Sequence, residues 1–137
     1  MLNSLDKYRD YGILLIRLGF GLYMFFGHGW GKISAGPERW TELGGTMGLF
    51  GITFLPVVWG FLAAIAESVC ALLVAAGFLF RPALLLLIGN MIVAASMHII
   101  TGNGSPEMAI LYGLVWLGLL FVGPGPYSLD ASLGGRR

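Results

Sequence analysis

What this sequence has least of is charge. Asp, Glu, Lys and Arg make up 11% of its 137 residues, while 57% are hydrophobic and the mean hydropathy is +0.83. A water-soluble domain of this size carries about 25% charged residues to keep its surface hydrated. Folded in water, this chain would expose apolar patches on every side, so lipid is the expected solvent. Neither sign of charge dominates: eight basic residues against seven acidic ones leave a formal net charge of +1. That excludes a basic field for nucleic acid, and equally an acidic tail. Cysteine is nearly absent. Cys70 stands alone inside an apolar run, which rules out an internal disulfide or a dithiol relay and predicts a buried thiol. No long polar stretch is available for a second domain, so residues 1–137 are read as one. No cofactor motif is visible, and no metal site is expected.

What is there is a set of long apolar runs, each close to the roughly 20 residues that cross a bilayer core. They cover about residues 11–30, 57–79, 82–100 and 106–122. Unpaired backbone is not tolerated against lipid, and β-branched residues are too few for barrel strands, so the runs are predicted to be helices. The fold class expected is an all-α membrane protein, a bundle of four transmembrane helices. The polar N-terminus and the length of the first run argue for a retained first span and against a signal peptide. Pro82 suits a helix start, and Ser105-Pro106-Glu107 reads as cap, proline and acidic first turn. Gly123-Pro124-Gly125-Pro126 ends the last helix. Within the longest loop, residues 37–43 form a candidate short helix lying in the interface.

Lys7, Arg9, Arg81, Arg136 and Arg137 fall on one side, Lys32 and Arg39 on the other, so both termini are expected in the cytoplasm. Trp30, Trp40 and Trp59 then mark the outer interface; Tyr8, Tyr11 and Tyr127 mark the inner one. Gly27 with Gly31, and Gly60 with Ala64, are spaced for close helix approach.

Polar residues within spans carry the functional information, because each charge costs about 2.5 to 3.5 kcal/mol at mid-bilayer. At about 1.5 Å per residue, Arg17 lies about 9 Å, Asn90 about 12 Å and Glu67 about 18 Å above the inner boundary. A long guanidinium stem would close that gap, so an Arg17–Glu67 ion pair with Asn90 as third member is expected. Arg17, Gly21, Met24 and His28 form one stripe on the first helix. His28 and His98 fall at nearly equal depth, and with Lys32 and Glu107 they make an expected outer polar cluster. Blander roles compete with each of these. The ion pair would simply lock helices, the histidines would hydrogen-bond at the interface, and Glu107 would complement its helix N-terminus. Tyr112 and Trp116 are read as packing residues.

The residues also resemble the DoxX family of small four-helix membrane proteins over nearly the whole chain. The likeness rests on four stretches in order: Arg17-Leu18-Gly19 with Gly27-His28-Gly29-Trp30-Gly31-Lys32; Ala66-Glu67; Gly77 to Ala83; and Gly123 to Asp130. Pro126 departs from the basic or polar residue expected there. The family is named after a subunit of an archaeal thiosulfate:quinone oxidoreductase, and related members look like membrane partners of redox enzymes. The resemblance implies a multi-pass protein of a prokaryotic plasma membrane, working beside a redox partner and interacting with quinone. In that reading Glu67 and His28 move protons, and Arg17, Lys32, Asn90, His98 and Glu107 bind the quinone. Other readings are a proton-coupled transporter built on Glu67 and an assembly subunit without chemistry. Haem ligation by His28 and His98 is a weaker one, since two histidines lack supporting motifs. A homo-oligomer stays open.

Overall fold

The computed structural model describes residues 2–134, and among these every regular element is helical. Helix α1 spans Ser4–Ala35, α3 Pro56–Ala76 and α4 Phe80–Thr101; these three are long and apolar enough to cross a membrane. Between the first two lies the short helix α2, Pro37–Gly44. Helix α5, Glu107–Val122, is apolar but shorter, and α6, Leu129–Leu133, follows it. The long helices and α5 match the four apolar runs read from the sequence. Arg136 and Arg137, which entered the orientation argument, lie outside the described residues.

The helices run up and down between two ends. One end, here the terminal end, holds the start of α1, the α3–α4 turn and α6; the other, the loop end, holds residues 45–55 and 102–106. The interior is built from Met24, Val74, Phe80, Leu84, Leu87 and Trp116. Large apolar side chains also point outward along the same helices: Leu15 is 71% exposed, Phe26 73% and Phe121 78%. A surface of that kind suits lipid rather than water.

Helix α1 packs on α3 through glycine. Gly21 lies against the Ala71 carbonyl and Ala75, and Gly29 lies against the backbone of Glu67 and Ser68, where a Cβ has no room. The expected close approach at Gly27 and Gly31 is not found. Gly31 faces open space, and Gly27 meets only the Tyr23 ring of its own helix. Gly60 fulfils its expectation, packed on the Trp40 carbonyl, while Ala64 is fully buried. Helix α2 therefore lies along the start of α3, with Gly44 against the Pro56 carbonyl and Gly60 against that of Trp40.

At the terminal end, the Asp130 carboxylate accepts from the backbone N–H groups of Leu79 and Phe80 at 3.0 Å each. That cap supplies partners which the first turn of a helix otherwise lacks. It explains why α4 begins at Phe80, before the expected start at Pro82. At the loop end, Ser105 Oγ accepts from Glu107 N at 3.2 Å, the cap the sequence suggested.

Candidate functional site

Two π-helical turns face each other across the α1–α3 contact. One, Phe25–Gly29, interrupts α1; the other, Ala66–Cys70, interrupts α3. A π turn adds a residue to the helix and shifts the face presented beyond it, and such turns concentrate at functional sites. The stripe of Ile13, Arg17, Gly21 and Met24 is buried as regular spacing requires, but the next buried residue is Gly29, not His28. His28 is displaced to a half-buried position, its ring edge-on to Tyr112 with centroids 6.0 Å apart. The sequence sign of this was Gly27-His28-Gly29, two glycines in mid-helix.

Glu67 sits in the α3 turn with 3% of its surface exposed. Lys32 Nζ lies 2.6 Å from one carboxylate oxygen, and Asn90 Nδ2 donates to the other at 2.6 Å. Both oxygens are thereby bound, one by an ion pair, so the buried charge is compensated. Asn90 was the expected third member of this group. Lys32 was not: the expectation assigned it to an outer cluster.

The expected Arg17–Glu67 pair does not form. Arg17 is 2% exposed and turns toward the terminal end, where Nε donates to the Ala75 carbonyl at 3.1 Å and Nη2 to that of Tyr127 at 2.5 Å. Nη1 donates to the Pro124 carbonyl. The physical reason is the direction of side chains on a helix: each leans toward the N-terminus of its own helix. On α1 that carries Arg17 away from Glu67 and carries Lys32 back toward it. On the antiparallel α3 it carries Glu67 toward Lys32. Ala75 lies eight residues beyond Glu67 on the same run, about 12 Å along the axis, so the tail carbonyls are the partners within reach.

The expected outer cluster is likewise corrected. Among the described residues no hydrogen bond or ion pair joins any two of His28, Lys32, His98 and Glu107. His98 Nδ1 lies 2.5 Å from the Asn103 carbonyl, and Glu107 is exposed at the start of α5. Cys70 is buried and free, as expected. Tyr8, Tyr11 and Tyr127 do gather at one end, with Tyr11 and Tyr127 stacked at 5.1 Å.

Two grooves flank this interior. The first, of about 280 Å³, is lined by Leu43 of α2 and Met47 just after it, Trp59 and Leu62 of α3, and Leu86 and Asn90 of α4. Its walls are apolar apart from Asn90 and the Trp59 indole. Asn90 gives one of its two amide N–H groups to Glu67, which leaves a second donor and the carbonyl oxygen for other partners. The second, of about 540 Å³, lies between α1 and α5. Asn90 thus both lines the first groove and holds the buried carboxylate.

Residues 12–103 match the family model for DoxX. The chain belongs to the DoxX family. A DoxX relationship agrees with several apolar helices and makes this a multi-pass membrane protein. The chain is also similar to an uncharacterized protein of Haemophilus influenzae, 31% identical over 94% of this chain and 96% of the other. No solved structure matches it. The DoxX match begins at Gly12 within α1 and runs past the end of α4, including Lys32, Glu67 and Asn90, and stops before Glu107 and the tail that holds Arg17.

Proposed function

We propose that this DoxX protein is the quinone-interacting membrane subunit of a redox system and acts with a partner oxidoreductase. In this reading the helices α1, α3, α4 and α5 are four spans in a prokaryotic plasma membrane. The terminal end, with Lys7, Arg9 and Arg81, is cytoplasmic by the distribution of basic residues. The observation that carries the proposal is the Lys32–Glu67–Asn90 group: a compensated carboxylate inside the spans, one side chain away from an apolar groove. Buried ionisable groups are costly in a membrane and mark proton and substrate paths.

The groove fits a quinone ring in its chemistry, with apolar walls and a hydrogen-bonding group at one place. When bound there, a quinone takes up electrons from the partner together with protons. Asn90 orients the ring by donating its second amide N–H to a quinone carbonyl. Glu67 holds a proton when Lys32 releases it, and Lys32, the more exposed of the pair, keeps the carboxylate in contact with the loop-end side. Arg17 acts at a distance, holding the tail against α3. The transporter reading is less well supported, because a carrier carboxylate must stand free to exchange proton and substrate, and Lys32 neutralises this one.

The test is to extract purified protein with organic solvent and quantify quinone, then measure quinone-linked turnover with the partner. Near-stoichiometric quinone in wild type, lost in Asn90→Leu, is the expected result. Glu67→Gln should keep the quinone and lose turnover; unchanged turnover would remove Glu67 from proton transfer.

A further inference from the structure

The Asn90 groove has an opening that the Lys32–Glu67–Asn90 group does not require. It follows the seam between α3 and α4, with Leu43 and Met47 toward the loop end and Leu85 and Leu86 nearest the terminal end. Two adjacent stripes of α4 border it. Leu86 and Asn90, four residues apart, lie on one, and Leu85 and Gly89 lie on the next. The second stripe is turned farther outward. Leu85 is 59% exposed against 38% for Leu86, and Gly89 is exposed where Asn90 is half-buried. Asn90 reaches inward to Glu67. On the side of Leu85 and Gly89 the groove therefore opens onto the surface that meets lipid.

Gly89 is the informative residue. It lines the groove beside Asn90, and a Cβ there would meet nothing within 4 Å. Its φ is not positive, so no turn geometry asks for glycine, and no neighbouring helix presses on it as on Gly21 and Gly29. Glycine also weakens a helix interior relative to alanine. Gly12, Gly19 and Gly118 face open space too, but Gly89 adjoins the amide that holds the buried carboxylate. The side chain it lacks leaves a notch on the lipid side of the groove. Gly89 lies about 14 Å along the axis from Phe80 and about 18 Å from Thr101, near the middle of the span. A head group that reaches Asn90 from the bilayer carries its hydrocarbon chain through this depth.

We propose that Gly89 is the specificity-determining position of this groove: the isoprenoid chain of a quinone held at Asn90 passes over Gly89 into the bilayer between α3 and α4. This chain path rests on the quinone reading of the groove and adds to it which quinones are taken. The second amide N–H of Asn90 meets a ring carbonyl. The chain, broadened by its methyl branches and stiffened by its double bonds, fills the notch and continues along Leu85. The groove thereby selects a quinone with an isoprenoid chain over the bare ring.

The experiment uses full-length protein in detergent, stripped of native lipid, and two probes that share one ring: a ubiquinone carrying two isoprenoid units, and the same dimethoxy-methyl-benzoquinone ring bearing none. Trp59 lines the groove, so quenching of its fluorescence by the quinone ring reads occupancy, and Trp59→Phe gives the background from the other tryptophans. Gly89→Leu fills the notch, and Gly89→Val fills it less; circular dichroism and gel filtration check that both fold. Wild type should bind both probes. Gly89→Leu should bind the chain-bearing probe about tenfold more weakly, as losing about 55 Å² of buried chain implies, and the bare ring within about twofold of wild type. Gly89→Val should show the same preference in lesser measure, and it carries the comparison if Gly89→Leu fails to fold. Asn90→Leu should weaken both probes. Equal effects of the Gly89 variants on the two probes, with Asn90→Leu still weakening both, overturn the chain path and leave the quinone site standing. Wild type that binds neither probe, or Asn90→Leu that binds both like wild type, overturns the quinone reading itself and the chain path with it.

Discussion

Among the described residues two charged side chains are buried, and they are satisfied in different ways. Near the loop end of the α1–α3 contact, Glu67 is met by an opposite charge and an amide, each at 2.6 Å. At the terminal end, Arg17 is met by three backbone carbonyls, those of Ala75, Pro124 and Tyr127. The Ala75 carbonyl, at the end of α3, carries partial negative charge, and three carbonyls together suit a planar guanidinium with several donors. A carboxylate has only acceptors and so must be met by donors from side chains. The Arg17 arrangement fastens the tail to α3 and uses the donors it employs on backbone. The Glu67 arrangement joins three helices through side chains, one of which lines a groove. The first is a clamp, and the second has the makings of a site.

Breaking the Glu67 group should have the largest effect. Lys32→Met leaves a buried carboxylate with no counter-charge and should lower stability by about 3 kcal/mol or more. The Lys32→Met/Glu67→Gln double variant should recover much of that loss. Unfolding in detergent followed by circular dichroism measures both, and a double variant no better than Lys32→Met would contradict the pairing.

The glycine contacts supply the next contrast. Gly29→Ala puts a methyl into the Glu67 backbone and should cost about 2–3 kcal/mol, while Gly31→Ala, facing open space, should be neutral or stabilising by up to about 1 kcal/mol. Equal losses at the two positions would mean that the two helices are not packed as described.

Arg17→Leu orphans carbonyls that water near the helix ends can partly reach, so a loss of about 2 kcal/mol is expected. Arg17→Lys should not restore it fully, because an ammonium lacks the planar fork. Limited proteolysis should show the Pro124–Asp130 segment opening first. The smallest effect sharpens the comparison most. A double-mutant cycle between Arg17→Leu and Glu67→Gln should give a coupling below about 0.5 kcal/mol, as for groups without shared partners. A coupling of 1 kcal/mol or more would restore the ion pair that the sequence suggested.

Much of this architecture was legible in advance. The apolar runs match the helices closely: Pro56–Ala76 covers nearly the run expected over 57–79, and Glu107–Val122 the run over 106–122. The helix start at Ser105, the buried lone Cys70, the tyrosine cluster and the Asn90–Glu67 contact were legible too. The partners of Arg17 and Lys32 were not. Counting residues along an axis places Cα atoms, whereas the side-chain lean moves a long head group by more than a turn, toward opposite ends on antiparallel helices. His28 was lost to the π turn, which breaks the four-and-three spacing that a regular helix would keep.

The sequence by itself determined the solvent, the helices and the shortage of charge that makes Arg17, Lys32 and Glu67 worth watching. These follow from composition and from the need of a backbone in lipid to bond within its own helix, both of which are local. Only the tertiary structure decided which charge meets which, that the seam between α1 and α5 stays open, and that Tyr112 borders it. Those outcomes depend on where two glycines let helices touch and on which way side chains lean, and neither is set by any one segment alone.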